Sequence, residues 1–448
     1  MRTYWVETYG CQMNKAESEA LIRDLEEAGW GRASAPEEAD VVVLNTCTVR
    51  QTAEERIAGR LGYYRYLKKH GRFILVLMGC MAERMKEEVL EAFPHVDVVV
   101  GTFQKNSFVR LLRERAEDLT LLQQLLLTEE DEYSFEKLHH SGLGFKAFVP
   151  IMHGCNNFCS YCIVPYVRGR EISRRPSEIF EEIEALLEKG VREITLLGQN
   201  VNSYRFTWEG KEMRFAGLLR EIVHRFPELP WLRFLTSHPK DLSEELIEVM
   251  SASSSICKHL HLPVQHGSNR ILGAMNRRYT REHYLNLVER IRTAMPGIAL
   301  TTDILVGFPG ETEEDLELTL DLMRRVRFAD AYTYYYNPRK GTRAYEWGDP
   351  IPLEVKKERL GRVIRLQREL SLEWKQRKIG RMVDVLVEEV SRKREDEVLA
   401  RTEQDEMVVF PAPPERIGRF AHVQLVSLEG NTFRAKEVIR CLGDSSSR

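Results

Sequence analysis

Residues 153–162 read HGCNNFCSYC, and the three cysteines in this run, Cys155, Cys159 and Cys162, decide how the rest of the chain is read. The apolar, β-rich stretch FKAFVPIM at 145–152 leads into them, so the thiols fall on a loop at the end of a strand. Three close thiolates with no fourth cysteine nearby can hold three corners of an iron–sulfur cube and leave one iron open. Electron-transfer clusters are closed by four cysteines. An open metal position marks a site of chemistry rather than of structure. The competing reading is a zinc site, which needs a fourth ligand. His153, two residues before Cys155, is the nearest candidate.

The spacing resembles the CxxxCxxC signature of radical S-adenosylmethionine (SAM) enzymes, in which SAM chelates the open iron. Strand patterns follow at 193–200, 231–237, 259–265, 299–308 and 329–336, with helical patterns at 176–189, 215–226, 243–252, 280–294 and 311–325. Counting the strand before the cysteines, that is six β/α units. It suits the partial TIM barrel of radical SAM enzymes better than a full eight-fold barrel. Barrel sites gather at the carboxyl ends of the strands. Those ends supply Gln199 and Asn200, Ser237 and His238, Gln265 and His266, and Asp303 with Gly307. The resemblance implies that these border SAM. Gln199 and Asn200 stand where the family often carries a GGE stretch, from which this sequence departs. Gly307 begins a glycine–proline loop resembling the one beside the SAM adenine, and Tyr161 matches an aromatic that packs there. His238 and His266 read either as catalytic bases or, more commonly, as satisfied loop histidines. Arg168, Arg170 and Arg174 suit the SAM carboxylate or an RNA phosphate, or else pair with Glu171 or Glu178.

The chain has 448 residues, 43% hydrophobic and 30% charged, which is ordinary for a globular protein of two or three domains. Neither a signal peptide nor a membrane-spanning run is visible, so a cytoplasmic location is expected. Eight cysteines in such a chain argue for metal or catalysis rather than a disulfide framework. A net charge of −3 gives no global pull toward nucleic acid, so RNA binding needs local basic patches.

Before residue 116, strand patterns at 3–10, 40–46, 73–79 and 96–101 alternate with helical ones at 15–29, 50–69 and 104–116. This predicts an open parallel α/β domain. Cys11, Cys47 and Cys80 are far apart in sequence, yet each follows a strand directly. Carboxyl ends of parallel strands share one sheet edge, so the three can converge on a second cluster. A lone thiol of this kind is ordinarily inert core; three at equivalent strand ends are not.

With TYGCQMN, LNTCTVR, LMGCMAER and HGCNNFCSYCIVPYVRGREISR on the page, the chain resembles the methylthiotransferase family of radical SAM enzymes over nearly its whole length. It is most similar to the tRNA branch, the 2-methylthio-isopentenyladenosine synthase type. The resemblance implies two 4Fe–4S clusters and SAM. Cys155, Cys159 and Cys162 hold the SAM-cleaving cluster; Cys11, Cys47 and Cys80 hold the auxiliary one that supplies sulfur. The implied reaction adds a methylthio group to isopentenyladenosine next to the anticodon of tRNA. The implied partners are the tRNA anticodon stem-loop and a low-potential electron donor of flavodoxin or ferredoxin type, with no membrane and a monomeric chain. Two rivals stand beside it: the same chemistry on threonylcarbamoyladenosine tRNA or a ribosomal-protein aspartate, and a non-enzymatic iron–sulfur carrier.

The acidic stretch within 117–142 reads as a linker between the N-terminal domain, 1–116, and the SAM domain, 143–379. The latter ends in a long helical pattern at 353–379 with nine Lys/Arg against four Glu, which suits either RNA phosphates or a solvated face. Residues 380–442 read as short strands, and by resemblance form a TRAM domain, an OB-like RNA-binding barrel. It is expected to be separable from the barrel before it. Cys257 and Cys441 match no cluster pattern.

Overall fold

The computed structural model describes residues 2–48, 51–86, 88–128, 133, 135 and 144–438; Cys441 and most of 129–143 lie outside them. The N-terminal unit is a parallel sheet of β1 (Thr3–Thr8), β2 (Gly31–Arg32), β3 (Val41–Thr46), β4 (Ile74–Gly79) and β5 (Val98–Val100), in the order β2-β1-β3-β4-β5. Its helices are α1 (Gln12–Glu27), α2 (Gln51–Leu67), α3 (Cys80–Met85), α4 (Glu88–Ala92), α5 (Lys105–Arg115) and α6 (Leu119–Thr128). β3 is buried along its whole length. Val41 and Val43 face α1, α5 and α6 through Leu25, Phe108 and Leu122, while Val42 and Leu44 face α2 and α3 through Ile57, Leu61 and Met81. That two-faced burial is why the strand is a continuous apolar run.

The stretch expected to begin a linker at 117 carries α6 instead. Leu122 and Leu126 enter the N-terminal core, and the Gln123 side chain bonds both N–H and carbonyl of Val99 at the edge of the sheet. The apolar LTLLQQLLLT run precedes the acidic stretch, and its leucines decide the outcome.

The central unit contains, in chain order, β6 (Lys146–Pro150), β7 (Met152–His153), α7 (Val164–Val167), β8 (Ile172–Ser173), α8 (Pro176–Glu188), β9 (Glu193–Leu197), β10 (Arg205–Trp208), β11 (Lys211–Arg214), α9 (Phe215–Arg225), β12 (Trp231–Phe234), α10 (Glu244–Ala252), β13 (His259–His261), α11 (Asn269–Ala274), α12 (Arg281–Ala294), β14 (Ala299–Val306), α13 (Glu313–Val326), β15 (Asp330–Tyr335) and α14 (Leu353–Gln376). Strands β12-β9-β6 and β13-β14-β15 form two parallel sheets joined by a bridge between Leu232 and Ile256. Together they are the expected six-stranded partial barrel. Alternate residues, such as Ile194, Leu196, Leu232 and Ile304, pack under the outer helices. Phe148, Leu197 and Leu235 face the other way and contact Met13, Ala16 and Ala20 of α1, so the first helix of the N-terminal unit lies against the barrel's inner face. The hairpin β10–β11 is an addition that the strand and helix patterns did not predict.

The C-terminal unit is a closed barrel of β16 (Met382–Val390), β17 (Glu397–Thr402), β18 (Met407–Pro411), β19 (Phe420–Glu429) and β20 (Thr432–Glu437). It is not a free module. Phe145, Trp231 and Cys257, at the amino ends of barrel strands, pack on Leu386, Ile417 and Phe420. The Arg233 guanidinium donates to the carbonyls of Thr402 at 2.8 Å and Glu403 at 2.6 Å, and its Nε stands 3.1 Å from Glu193. The expectation of a separable C-terminal unit is therefore corrected: this barrel caps the end of the central one opposite the cysteine loop. Among the described residues no helix is long and apolar enough to cross a membrane.

Candidate active site

The loop carrying Cys155, Cys159 and Cys162 hangs between β7 and α7. Gly154 sits at φ +74°, and a Cβ there would collide with the Arg170 carbonyl, so only glycine lets the chain turn into the loop. The loop is then pinned from the far side of the barrel. Ser160 donates from its N–H to Met275 and from Oγ to Ala274, and Asn276 Nδ2 donates to the carbonyls of Asn157 and Phe158. Cys155 and Cys159 are buried, Cys162 half-buried, and all three are free thiols. Burial pushes the Cys155 thiol up to about 11 and the Cys162 thiol up to about 12, and neighbouring thiolate charge adds to both. A polycationic core between the sulfurs would offset the repulsion that raises Cys155 and Cys162.

The other strand ends converge on the same side. Asn200 is buried; its Nδ2 donates to Asp241 at 2.8 Å while its Oδ1 finds no partner among the described residues. Ser237 Oγ and His238 Nε2 are likewise buried and unmatched. His238 Nδ1 accepts from Lys240 N–H, which leaves Nε2 as the open nitrogen. Burial and the nearby Arg277 hold this imidazole neutral, far below its ordinary pKa. Three orphaned polar atoms at the ends of β9 and β12 are what a site for a polar cofactor requires, because such atoms are costly unless a ligand bonds them. Gln199 is half-buried beside Asn200. Gln265 has φ +68° and joins β14 through a bridge to Ile304, its N–H donating to the Asp303 carbonyl. Asp303 Oδ2 lies 3.6 Å from His261 Nε2. Tyr161 packs edge-on to Phe308 at 6.5 Å.

Two expectations fare differently here. His266 is fully satisfied, with Nδ1 accepting from Ser268 N–H and Nε2 facing Glu311 at 3.2 Å, so it is a core histidine and no base. Gly307 carries a packing requirement of its own. It has φ +68°, and a Cβ would stand 2.5 Å from Cγ of the buried Lys356 on α14. The demand for glycine comes from helix packing behind the loop.

Cys11, Cys47 and Cys80 meet at the carboxyl edge of the N-terminal sheet, on adjacent strands β1, β3 and β4. Cys11 is the N-cap of α1 and donates to Asn14 Oδ1; Asn14 in turn bonds Asn45 Oδ1 and the Thr46 carbonyl, just before Cys47. A Cβ on Gly10 would stand 2.6 Å from Cys47 Cβ, so glycine is needed for the two loops to close up. Cys80 opens α3, and burial raises its thiol, with the charge of nearby Cys11 adding to the shift. It also packs on Ile163 and Val167, which flank and close α7. The two triads thus sit on either side of one short helix.

Arg168 crosses between them. It is 2% exposed, its Nη1 is 2.7 Å from Glu17 Oε1 on α1, and its charge bears on Cys80 and Cys11. Lys105 joins the same carboxylate at 2.6 Å. Arg174 is buried against Glu182 and lies 3.5 Å from Glu178. Only Arg170, stacked over Phe158 at 5.2 Å, remains exposed. The RNA-phosphate reading of Arg168 and Arg174 is therefore corrected. His153, the candidate fourth zinc ligand, is buried with its ring stacked on Tyr133 at 3.4 Å and edge-on to Phe103. Among the described residues no three His, Cys, Asp or Glu are close enough to clasp one metal ion. A four-iron cube spreads its ligands wider than a single ion does, so both all-sulfur donor sets suit such a cube. The basic run at 353–379 is partly inward, while Lys357, Arg365, Arg368 and Arg377 stay exposed. Lys356, Arg359, Lys375 and Lys378 are buried on internal partners, and Arg362 pairs with Glu313 and Glu317.

Family models match in three places: the radical SAM superfamily over residues 149–323, the uncharacterized protein family UPF0004 over 3–101, and the TRAM domain over 376–438. Among solved structures, the radical S-adenosylmethionine methyltransferase TsrM from Kitasatospora setae superposes with a TM-score of 0.58 at 17% identity, covering 77% of each chain, a likeness of fold. Curated relatives named tRNA-2-methylthio-N(6)-dimethylallyladenosine synthase are 50% identical in Treponema denticola, over 97% of this chain and 99% of the relative. Another in Carboxydothermus hydrogenoformans is 44% identical over 98% and 99%. Full-length likeness of this degree, on a barrel whose strand ends hold an open thiol triad, shows that the chain belongs to the tRNA-2-methylthio-N(6)-dimethylallyladenosine synthase family of radical SAM enzymes.

Proposed function

We propose that this chain is a radical SAM methylthiotransferase acting on dimethylallyladenosine in the anticodon loop of tRNA. Cys155, Cys159 and Cys162 hold the SAM-cleaving cluster, and Cys11, Cys47 and Cys80 the sulfur-supplying one. The observation that carries the reading is the pair of three-cysteine sites facing each other across α7, one on each unit. When bound, the clusters and SAM supply hydrogen abstraction from an unactivated carbon, the sulfur and the methyl group. The chain's own residues bind and orient. Asn200 Oδ1, Ser237 Oγ and His238 Nε2 offer unmatched polar atoms to SAM, and Tyr161 with Phe308 offers an apolar wall for its adenine. His238, held neutral, can accept or donate one hydrogen bond there without adding charge. α1 against the barrel's inner face helps keep water from the space between the triads. A target base reaches such a site only when flipped out of its stack.

A low-potential electron donor of flavodoxin or ferredoxin type, a cytoplasmic location and a monomeric chain go with this reading. The test is nucleoside mass spectrometry of tRNA from cells with and without the gene. Loss of the methylthio nucleoside with accumulation of its dimethylallyl precursor is expected. An unchanged nucleoside profile would sink the proposal.

A further inference from the structure

A buried arginine that no sequence pattern singled out touches the cysteine loop. Arg277 is 5% exposed and lies just beyond α11. Its guanidinium makes three donations: Nη1 to Cys159 Sγ at 3.3 Å, Nη2 to the Pro263 carbonyl at 2.8 Å, and Nε to Tyr279 Oη at 3.0 Å. Tyr279 is itself fixed, donating to the Val264 carbonyl at 2.8 Å. The fork is therefore held from two sides and presents its third arm to a sulfur.

The charge balance is telling. Arg168, Arg174 and Arg233 are each buried against a carboxylate: Glu17, Glu182 and Glu193. Among the described residues Arg277 forms an ion pair with no carboxylate; the partners of its guanidinium are Tyr279, the Pro263 carbonyl and Cys159. A buried guanidinium without an anion is expensive. The anion in reach is the sulfur of Cys159 once that cysteine is a thiolate ligand.

We propose that Arg277 is a positioning residue for the Cys155–Cys159–Cys162 cluster: its N–H bond holds the Cys159 sulfur as a ligand, and its charge raises the cluster's reduction potential. This rests on the reading of that triad as a cluster site. Hydrogen bonds to ligating sulfur and nearby positive charge favour the reduced, more negative cluster. Because Arg277 is tied to the Pro263 carbonyl and the Tyr279 hydroxyl rather than to a carboxylate, the effect is built into the fold.

The test uses the full-length chain with Cys11, Cys47 and Cys80 changed to Ala, reconstituted anaerobically, so that one cluster of about four irons remains. Arg277→Met and Arg277→Lys are made in it, and iron content, thermal unfolding and the midpoint potential by EPR-monitored titration are measured without SAM. Arg277→Met is expected to move the midpoint to a more negative potential. Arg277→Lys should move it less, because an ammonium keeps the charge and loses the fork. Loss of iron from a variant that still melts as the parent does also supports the proposal, since the sulfur is then no longer held. Parental iron and parental potential in Arg277→Met would overturn it. If Arg277→Met fails to fold, Arg277→Lys decides by the same two readings; failure of both to fold would make Arg277 structural and overturn the proposal too. A parent that binds no iron would bring down the cluster reading itself, a result distinct from an unshifted potential.

Discussion

Arg168 reaches from the loop after the cysteine motif to Glu17 on the first helix, Nη1 to Oε1 at 2.7 Å, with both side chains buried. The pair fastens the barrel's cysteine loop to the N-terminal triad. Lys105 shares the same carboxylate, so one acid faces two cations at the junction.

Glu17→Gln should therefore be among the most damaging single changes in the chain. It leaves Arg168 and Lys105 buried without their acid, a change that costs about 3–5 kcal/mol when a buried pair is broken. Urea unfolding of the variant beside the wild type measures it. A loss under about 1 kcal/mol would mean that the junction is wetter than its burial indicates.

Iron content should follow the two triads. After anaerobic reconstitution the chain is expected to hold about eight irons, and the triple Cys155, Cys159 and Cys162→Ala variant about four. The same variant should lose reductive SAM cleavage, whereas Cys47→Ala should retain it and insert no sulfur. Complete loss of iron from the triple variant would rule out two independent sites.

Ser237→Ala is expected to separate stability from cofactor binding. The buried hydroxyl has no partner among the described residues, so its removal should leave the melting temperature of the cofactor-free protein unchanged or raised, with about 1–3 kcal/mol of desolvation relieved. SAM should then stabilise the variant less than the wild type. Equal SAM-induced shifts in the two proteins would take Ser237 out of the cofactor site.

The C-terminal barrel is expected to stabilise the central one as well as serve RNA. Cutting at residue 381 would expose Trp231 and Cys257 and leave Arg233 without its carbonyl acceptors. Alkylation of Cys257, followed by peptide mass spectrometry under native conditions, should be slow in the full chain and fast in the truncated one. Equal protection in both would show that this interface is dispensable.

Acid should weaken the N-terminal unit through Glu7. Despite its burial, hydrogen bonds from Arg60, Tyr9, Tyr64 and Trp5 hold its carboxyl down at about 2. A depressed carboxyl contributes stability that is full above its unfolded value, near 4.5, and is lost as pH falls toward 2. The stability gap between wild type and Glu7→Gln should thus be about 2–3 kcal/mol at neutral pH and shrink as pH drops from about 5 to about 3. A gap that stays constant over that range would assign the bonds no such role.

Much of the site was legible because its signals are local. The spacing of Cys155, Cys159 and Cys162 is a property of one loop, and each of Cys11, Cys47 and Cys80 follows its own strand. Parallel topology then brings strand ends together without further information. Where the reading failed, the reason was packing. The leucines of α6 turned an expected linker into core, and internal carboxylates and carbonyls absorbed Lys356, Arg359, Lys375 and Lys378 of the basic run.

By itself, then, the sequence determined the order of units, the six β/α repeats and both thiol triads, since periodicity and short spacings act over a few residues. The tertiary structure alone decided which charges meet. Arg168 finds Glu17 across 151 positions, Arg277 finds Cys159 across 118, and Arg233 finds the Glu403 carbonyl across 170. No local rule spans such separations. An arginine's partner is set by where folding buries it, because a buried charge must take whatever acceptor the packed chain brings within reach.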